Sequence, residues 1–411
     1  MDDEAISTSL IYIGVRLLLR QRRIAMTLLK VFQQTFRFAS FRKAKALPYL
    51  LPEPKLKNIK LILELKKLDE VDERRWDELL FSSTYSTVYH SLSWCKVWQK
   101  TYPQSDYLFL ILTDEKGNYW AGFPLWEKNK YGLKSLYSLP FGTYGGPIFK
   151  GEVNMLFRQK GLKGGTEQCS VPTSIQKELI NKFTEVSQKW NVLQIQTVDF
   201  FNQYDFLSLF GFSYKDYFAH LLDLTTIDDN SPMEGFDKKR KEGIRQSQRR
   251  GVLIKDMESL EEVKRCYELT LDTYCRYGIE KPKYPLLLFE NIFRVMRDKN
   301  LLKWVVVLKD NQIIGSLMNF AFKDMVYAWE GASDYDSQNF RPNDSLFFHT
   351  ILWAKKNNFK LFNFGATPSK ALGMQRFKES WGTFVKPYKI YEKKSWLGKV
   401  LSKLRKGDGK V

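Results

Sequence analysis

Cysteine and histidine are scarce in this 411-residue chain, with four Cys (Cys95, Cys169, Cys266, Cys275) and three His (His90, His220, His349). There is no Cys-x-x-Cys pair, and the histidines are far apart in sequence. Metal centres built on Cys and His need clustered ligands, so no metal site is expected. Scattered single thiols suit a reducing cytoplasm rather than a disulfide framework. Long uncharged apolar runs are also missing. The most apolar stretch near the start, LIYIGVRLLLRQRRIAMTLLKVFQQTFRFASFRKAK, is broken by arginine too often to span a bilayer comfortably. No GxGxxG motif opens a helix and no Walker loop occurs, which weakens a nucleotide-cofactor reading. No Ser-His-Asp set is legible.

Positive charge is plentiful but uneven. The net charge is +19. Residues 1–4 carry −3, residues 5–52 carry nine basic residues and no acid, and residues 393–411 carry +6, which leaves +7 for 53–392. A body that is only mildly basic argues against a dedicated nucleic-acid-binding fold. In the N-terminal stretch Arg16, Arg20, Arg23, Thr27, Lys30, Gln34 and Arg37 step by four and three, one polar stripe on an otherwise apolar helix. Such a helix suits a membrane interface with arginines at anionic headgroups. A helix docked on a protein partner and an extension without a fold of its own are the other readings. The C-terminal SWLGKVLSKLRKGDGK places Trp396, Leu397, Val400, Leu401 and Leu404 on one helical face with lysines opposite. It is either a second weak anchor or a solvated tail. ALPYLLPEPKLKN is a proline-punctuated linker. The chain therefore divides into an N-terminal extension (1–56), two globular parts (57–219 and 220–392) and a basic tail (393–411).

The two globular parts follow one plan. DYLFLILTDEKGNYWAGFPLWEK (106–128) and LLKWVVVLKDNQIIGSLMNFAFK (301–323) each read as a β-hairpin, with turns at Asp114–Asn118 and Asp310–Asn311. A strand and two helices precede each hairpin, with helices expected over 69–81 and 91–101, then over 259–277 and 285–298. A helix and a strand follow each: helix 173–190 before VLQIQTV, and helix 345–357 before KLFNFG. A short helical segment and a last strand close each copy. The fold class is α/β, two tandem domains with mixed sheets flanked by helices.

This plan, with HSLSWCKVW, LYSLPFGTYGGPIF, FDKKRKEGIRQSQRRGVLI and NFGATPSKALGMQRFKESWG in order, resembles the FemAB-like family of the GNAT (acyl-CoA N-acyltransferase) superfamily over about residues 60–392. The resemblance implies direct acyl transfer to an amine of a cell-wall or polysaccharide precursor, with no covalent enzyme intermediate. It further implies an acyl donor that is aminoacyl-tRNA or acyl-CoA, no tightly bound cofactor and no metal. The implied partners are a nucleotide- or lipid-linked amino-sugar or peptide precursor, transient tRNA, and a membrane surface met by the basic ends. The implied location is cytoplasmic, peripheral at the inner face of the membrane. Two other functions are compatible with the sequence: an acyl-CoA-dependent acetyltransferase on a soluble amino-sugar or amino acid, and a non-catalytic scaffold docked on membranes.

Such a site needs an oriented amine, a proton acceptor and donors aimed at the oxyanion. By the resemblance, Lys378 belongs at the acyl-transfer centre, where its cation meets an oxyanion or a phosphate; otherwise its stem covers Trp381. Glu330, on the strand MVYAWEGAS, is a candidate base or an outward-facing carboxylate. Arg240 matches a phosphate-binding arginine, and Arg245 extends its ridge. Gly365 lets a ligand approach the end of its strand, or merely turns the chain. Tyr144 and Gly145 lie in a glycine-rich loop that lines the acceptor cleft in relatives, or forms a structural turn. Lys96 is placed to reach acceptor phosphates, and Trp381 to line the site. The loop DYDSQNFRPNDS lacks glycine, and Pro342 removes an amide donor. That argues against the pyrophosphate cradle of an ordinary GNAT. The loop 150–174 is an insertion, mobile or a lid.

Overall fold

The structure is a computed structural model that describes residues 61–130, 132–150, 179–181, 183–185, 192–279, 281–367 and 371–407. The helix and linker expected over 1–56, and the insertion 150–174 beyond its first residue, lie outside the described residues. So does much of the helix expected over 173–190, of which 179–181 and 183–185 are helical.

Alternating apolar runs and turn residues produce the elements where the sequence places them. The first half comprises β1 (Leu61–Lys67), α1 (Glu73–Ser82), α2 (Leu92–Thr101), β2 (Asp106–Asp114), β3 (Tyr119–Lys130), β4 (Leu133–Tyr137), β5 (Ile148–Phe149), β6 (Gln194–Asp199) and β7 (Ser213–Asp223). The second comprises α3 (Lys238–Arg249), β8 (Leu253–Asp256), α4 (Leu260–Arg276), α5 (Leu286–Met296), β9 (Leu302–Lys309), β10 (Gln312–Phe322), β11 (Met325–Ser333), α6 (Pro342–Lys356), β12 (Leu361–Ala366), α7 (Leu372–Glu379), β13 (Phe384–Lys394) and α8 (Trp396–Gly407). Local chemistry fixes the boundaries. Asp72 and Ser91 cap α1 and α2 by accepting from Arg75 N and Trp94 N. The β9–β10 hairpin turns on Asp310 (φ 51°) and Asn311 (φ 61°), the left-handed pair that a tight two-residue hairpin requires.

The strands form one sheet in the order β1-β2-β3-β4-β6-β13-β7-β12-β11-β10-β9-β8, with β5 paired to β3. The two halves exchange their last strands. β7 ends the first half but pairs with β12 of the second, and β13 ends the second but pairs with β6 of the first. The two exchanged strands pair with each other from Ser213/Glu392 to Leu221/Phe384. The boundary expected between 219 and 220 thus falls inside β7, and Ile59–Val411 form a single compact unit. Aromatic side chains add to the join. Trp94 and Trp98, four apart on α2, are fully buried, and Trp94 meets Phe320 at 5.1 Å and Trp329 at 5.8 Å. No helix among the described residues is long and apolar enough to cross a membrane. The tail forms α8, with Trp396 and Leu397 exposed.

Candidate active site

β12 runs parallel to β11, but their ladder holds only from Met325/Leu361 to Tyr327/Asn363. The chain then kinks at Gly365, whose φ of 76° disfavours any L side chain. The Asn363 side chain braces the kink by accepting from Gly365 N at 2.7 Å. Lys378, on the last turn of α7, reaches back to it. Its Nζ donates to the carbonyls of Gly365 (3.0 Å) and Ala366 (2.9 Å). The residue is 6% exposed. No carboxylate pairs with it among the described residues, and burial lowers its pKa to about 8. Burial pushes the Tyr144 phenol up, and the nearby Asn363 side chain opposes that shift. Asn363 thus lies between Tyr144 and the Gly365 kink that Lys378 holds.

Tyr144 is buried, stacked 4.1 Å from Phe200 and edge-on to Tyr388 at 5.5 Å. Its loop is pinned from below. Thr87 Oγ1 donates to Tyr144 O at 2.7 Å, and the buried His90 ring lies 3.1 Å from Gly146 O. A Cβ at Gly145 would collide with the Ser138 hydroxyl. Packing against Ser138 therefore requires a glycine at this position of the loop.

Glu330 lies on β11, two residues past Ala328. The Ala328 carbonyl oxygen would be 3.6 Å from a Cβ built on Gly365. The Tyr274 hydroxyl donates to Glu330 Oε1 at 3.3 Å. Burial pushes the carboxyl up to about 7, against the opposing pull of the Lys283 charge. An aromatic wall adjoins it. Tyr284 stacks on Trp329 at 4.9 Å, and Phe141 meets Tyr284 edge-on at 5.4 Å. A base needs a pKa near the working pH, and this carboxyl has one.

Three expected contacts take different roles. Trp381 has no exposed surface and packs 5.1 Å from Phe236 in the core beneath α3, α6 and α7, so it cannot line a substrate site. Arg240 is buried and engaged internally. Its guanidinium pairs with Asp344 on α6, donates to Ser380 Oγ through Nε (3.1 Å) and Nη2 (3.0 Å), and lies 4.5 Å over Phe377. Gly243 permits the approach, since a Cβ there would hit the Asp344 carboxylate. Lys96 is held by Glu73 on α1 at 2.8 Å, and Lys299 joins the same carboxylate at 3.5 Å. That surface network is not joined to the Asn363 group. Arg245 is exposed on α3, one turn beyond Arg240.

Residues 237–379 match the family model of an acetyltransferase (GNAT) domain. Among solved structures, FemX is similar over 79% of this chain and 96% of its own, with a TM-score of 0.59 and 13% identity. Residues 237–379 therefore form a GNAT-type domain, and the described chain shares the FemX fold. Two further structures are similar to this chain. L-PGS from Bacillus licheniformis covers 78% of this chain and 91% of its own, with a TM-score of 0.51 and 11% identity. The C-terminal domain of a protein assigned as lysylphosphatidylglycerol synthetase, from Agrobacterium fabrum, covers 80% and 94%, with a TM-score of 0.52 and 12% identity. No curated protein matches the sequence.

The start of α6 is where a GNAT fold would hold the pyrophosphate of CoA. Here Pro342 occupies the first turn and lacks an N–H, Arg341 caps with a left-handed backbone, and Asp344 fills the first turn. The preceding loop adds Asp334 and Asp336. Asp344 is buried against Arg240, so a pyrophosphate there would meet the loop acids Asp334 and Asp336 and one amide fewer at Pro342, a poor fit to a conventional CoA cradle.

Arg240 gives a direct prediction for the GNAT-type domain. Arg240→Met leaves the Asp344 carboxylate buried and unpaired, which costs about 3–5 kcal/mol. Urea unfolding is the measurement. Unchanged stability with a raised KM would return Arg240 to substrate binding.

Proposed function

We propose that this chain moves an acyl or aminoacyl group onto an amine of a cell-envelope or polysaccharide precursor at the inner face of the membrane. The observation that carries the reading is the Lys378 ammonium, buried beside the kink of β12 without a counter-charge among the described residues. A buried cation is costly unless a negative group arrives to meet it. The developing oxyanion of acyl transfer, or a phosphate of the substrate, is such a group. Glu330 on the adjacent strand takes the amine proton. The acids of the loop before α6 and the amide missing at Pro342 favour aminoacyl-tRNA or another carrier over acyl-CoA as donor. Exposed Trp396 and Leu397 on α8, followed by Lys399 and Lys403, support a membrane contact at the tail.

Thermal unfolding of the full chain with a panel of ligands tests this. A ligand that binds only the folded state raises Tm by mass action, about 2.7 kcal/mol at a hundred times Kd. UDP-linked and lipid-linked amino-sugar precursors are expected to stabilise the wild type and to do so less in Lys378→Met. Stabilisation by acetyl-CoA alone would favour an ordinary acetyltransferase on a soluble amine, and would mean that the α6 loop binds CoA despite its acids.

A further inference from the structure

His220 sits on β7, one of the exchanged strands, and only 3% of its surface is exposed. One ring nitrogen is accounted for, with Nδ1 lying 3.3 Å from Thr367 Oγ1. The other, Nε2, is buried and has no hydrogen-bond partner among the described residues. Leaving a buried polar atom without a partner is costly, so its retention asks for a ligand. The surroundings say where the ligand would lie. Thr367 directly follows Ala366, whose carbonyl holds Lys378, and the Lys378 charge is close enough to help keep the imidazole neutral. Burial acts in the same direction and is the larger influence, while Glu379 opposes.

We propose that His220 supplies, with Lys378, a second hydrogen-bond donor to the oxyanion that forms on the acyl carbonyl. This rests on the reading of Lys378 as part of the acyl-transfer centre. If Nδ1 accepts the Thr367 hydroxyl proton, the ring proton is on Nε2, and the unpartnered atom is a donor awaiting an acceptor. The acceptor amine lone pair forms the C–N bond, and the carbonyl pair moves onto oxygen. Lys378 and His220 hold that oxygen while it is charged. The pair then returns and the bond from the acyl carbon to its carrier breaks. The amine proton, taken by Glu330, ends on the leaving atom. Two preorganised donors in a water-poor site are a recurring solution for this step. The strand exchange gives the arrangement its reason: β7 comes from the first half, so the centre is completed by a residue from the other repeat.

The test uses the full chain labelled with ¹⁵N-histidine. Only three histidines are present, so His220→Gln assigns the signal. The expected ring at pH 7.5 is neutral and protonated on Nε2, and Lys378→Met raises its pKa by removing the neighbouring cation. A proton on Nδ1 with a bare Nε2, or no response to Lys378→Met, overturns the proposal. Activity adds a second readout on the substrate pair that the ligand panel selects. His220→Ala is expected to lower kcat about 100-fold with KM held. His220→Gln, which restores a side-chain N–H, is expected to recover part of that loss. Equal losses in both variants alongside a fallen Tm would assign His220 to folding alone. The NMR arm does not depend on the panel, so the failure of one reading is separable from the failure of the other.

Discussion

Lys378→Met is expected to lower kcat by roughly 10²–10³, the usual cost of removing one donor to an oxyanion, while Tm at neutral pH stays the same or rises. The stability half follows from burial. The ammonium is shifted down to about 8 in the folded chain from 10.5. Below pH 8 the folded state therefore carries a charge that water would hold better. That penalty is full below the folded pKa and is relieved between about 8 and 10.5, where the folded group is neutral and the unfolded one still protonated. Methionine removes the charge at the price of two carbonyls, those of Gly365 and Ala366, losing a donor. The two effects oppose, so stability changes little. A lysine that merely pinned α7 to β12 would give the reverse pattern, a lower Tm with kcat intact. Lys378→Arg separates charge from shape. It keeps a cation at every accessible pH, so the activity it retains should no longer fall as the medium passes pH 8.

Much of this site was readable from residue order, and the remainder fails for identifiable reasons. The hairpins were legible because Asp310–Asn311 and Asp114–Asn118 are turn residues between apolar runs, and turn chemistry is local. Lys378 was legible because an ammonium between Phe377 and Trp381 contradicts its neighbours. The strand exchange was not, because alternation tells a strand which face to bury but not which strand to pair with. Ser213–Asp223 would look the same paired to either half. The partner of Arg240 was hidden for a related reason. A basic helix reads as a phosphate ridge until its partner is known, and Asp344 lies more than a hundred residues away in sequence. Trp381 looked like a lining residue because sequence does not distinguish a wall from the core behind it. Asn363 gave no signal at all. An asparagine inside LFNFG passes for an interruption in a buried strand, and only the backbone turn at Gly365 reveals what it braces. His220 carries no signal either, since its relation to Lys378 exists only through the pairing of β7 with β12.

Glu330→Gln is expected to cost about 10²–10⁴ in kcat, the range for losing a general base, and to make the folded protein more stable above pH 7. The carboxyl is raised to about 7 from 4.5, chiefly by burial. Between those values the folded state holds a proton that the unfolded chain has lost, so stability falls as pH rises from 4.5 towards 7. Above 7 the full penalty applies, on the order of 3–4 kcal/mol at 1.4 kcal/mol per pKa unit. Glutamine keeps an oxygen to accept from Tyr274 and carries no charge, so it escapes the penalty. The activity profile follows from the same groups. In the wild type the rate should climb as Glu330 ionises near 7 and drop as Lys378 loses its proton near 8, a narrow bell. The variant should lose the acid limb attributable to Glu330 while keeping the alkaline one. Stability curves against pH and kcat profiles on the same protein decide the matter. A variant that is both slower and less stable at pH 8 would make Glu330 a structural partner of Tyr274. A variant that is slower and more stable marks a carboxylate kept in an unfavourable place because the chemistry needs it there.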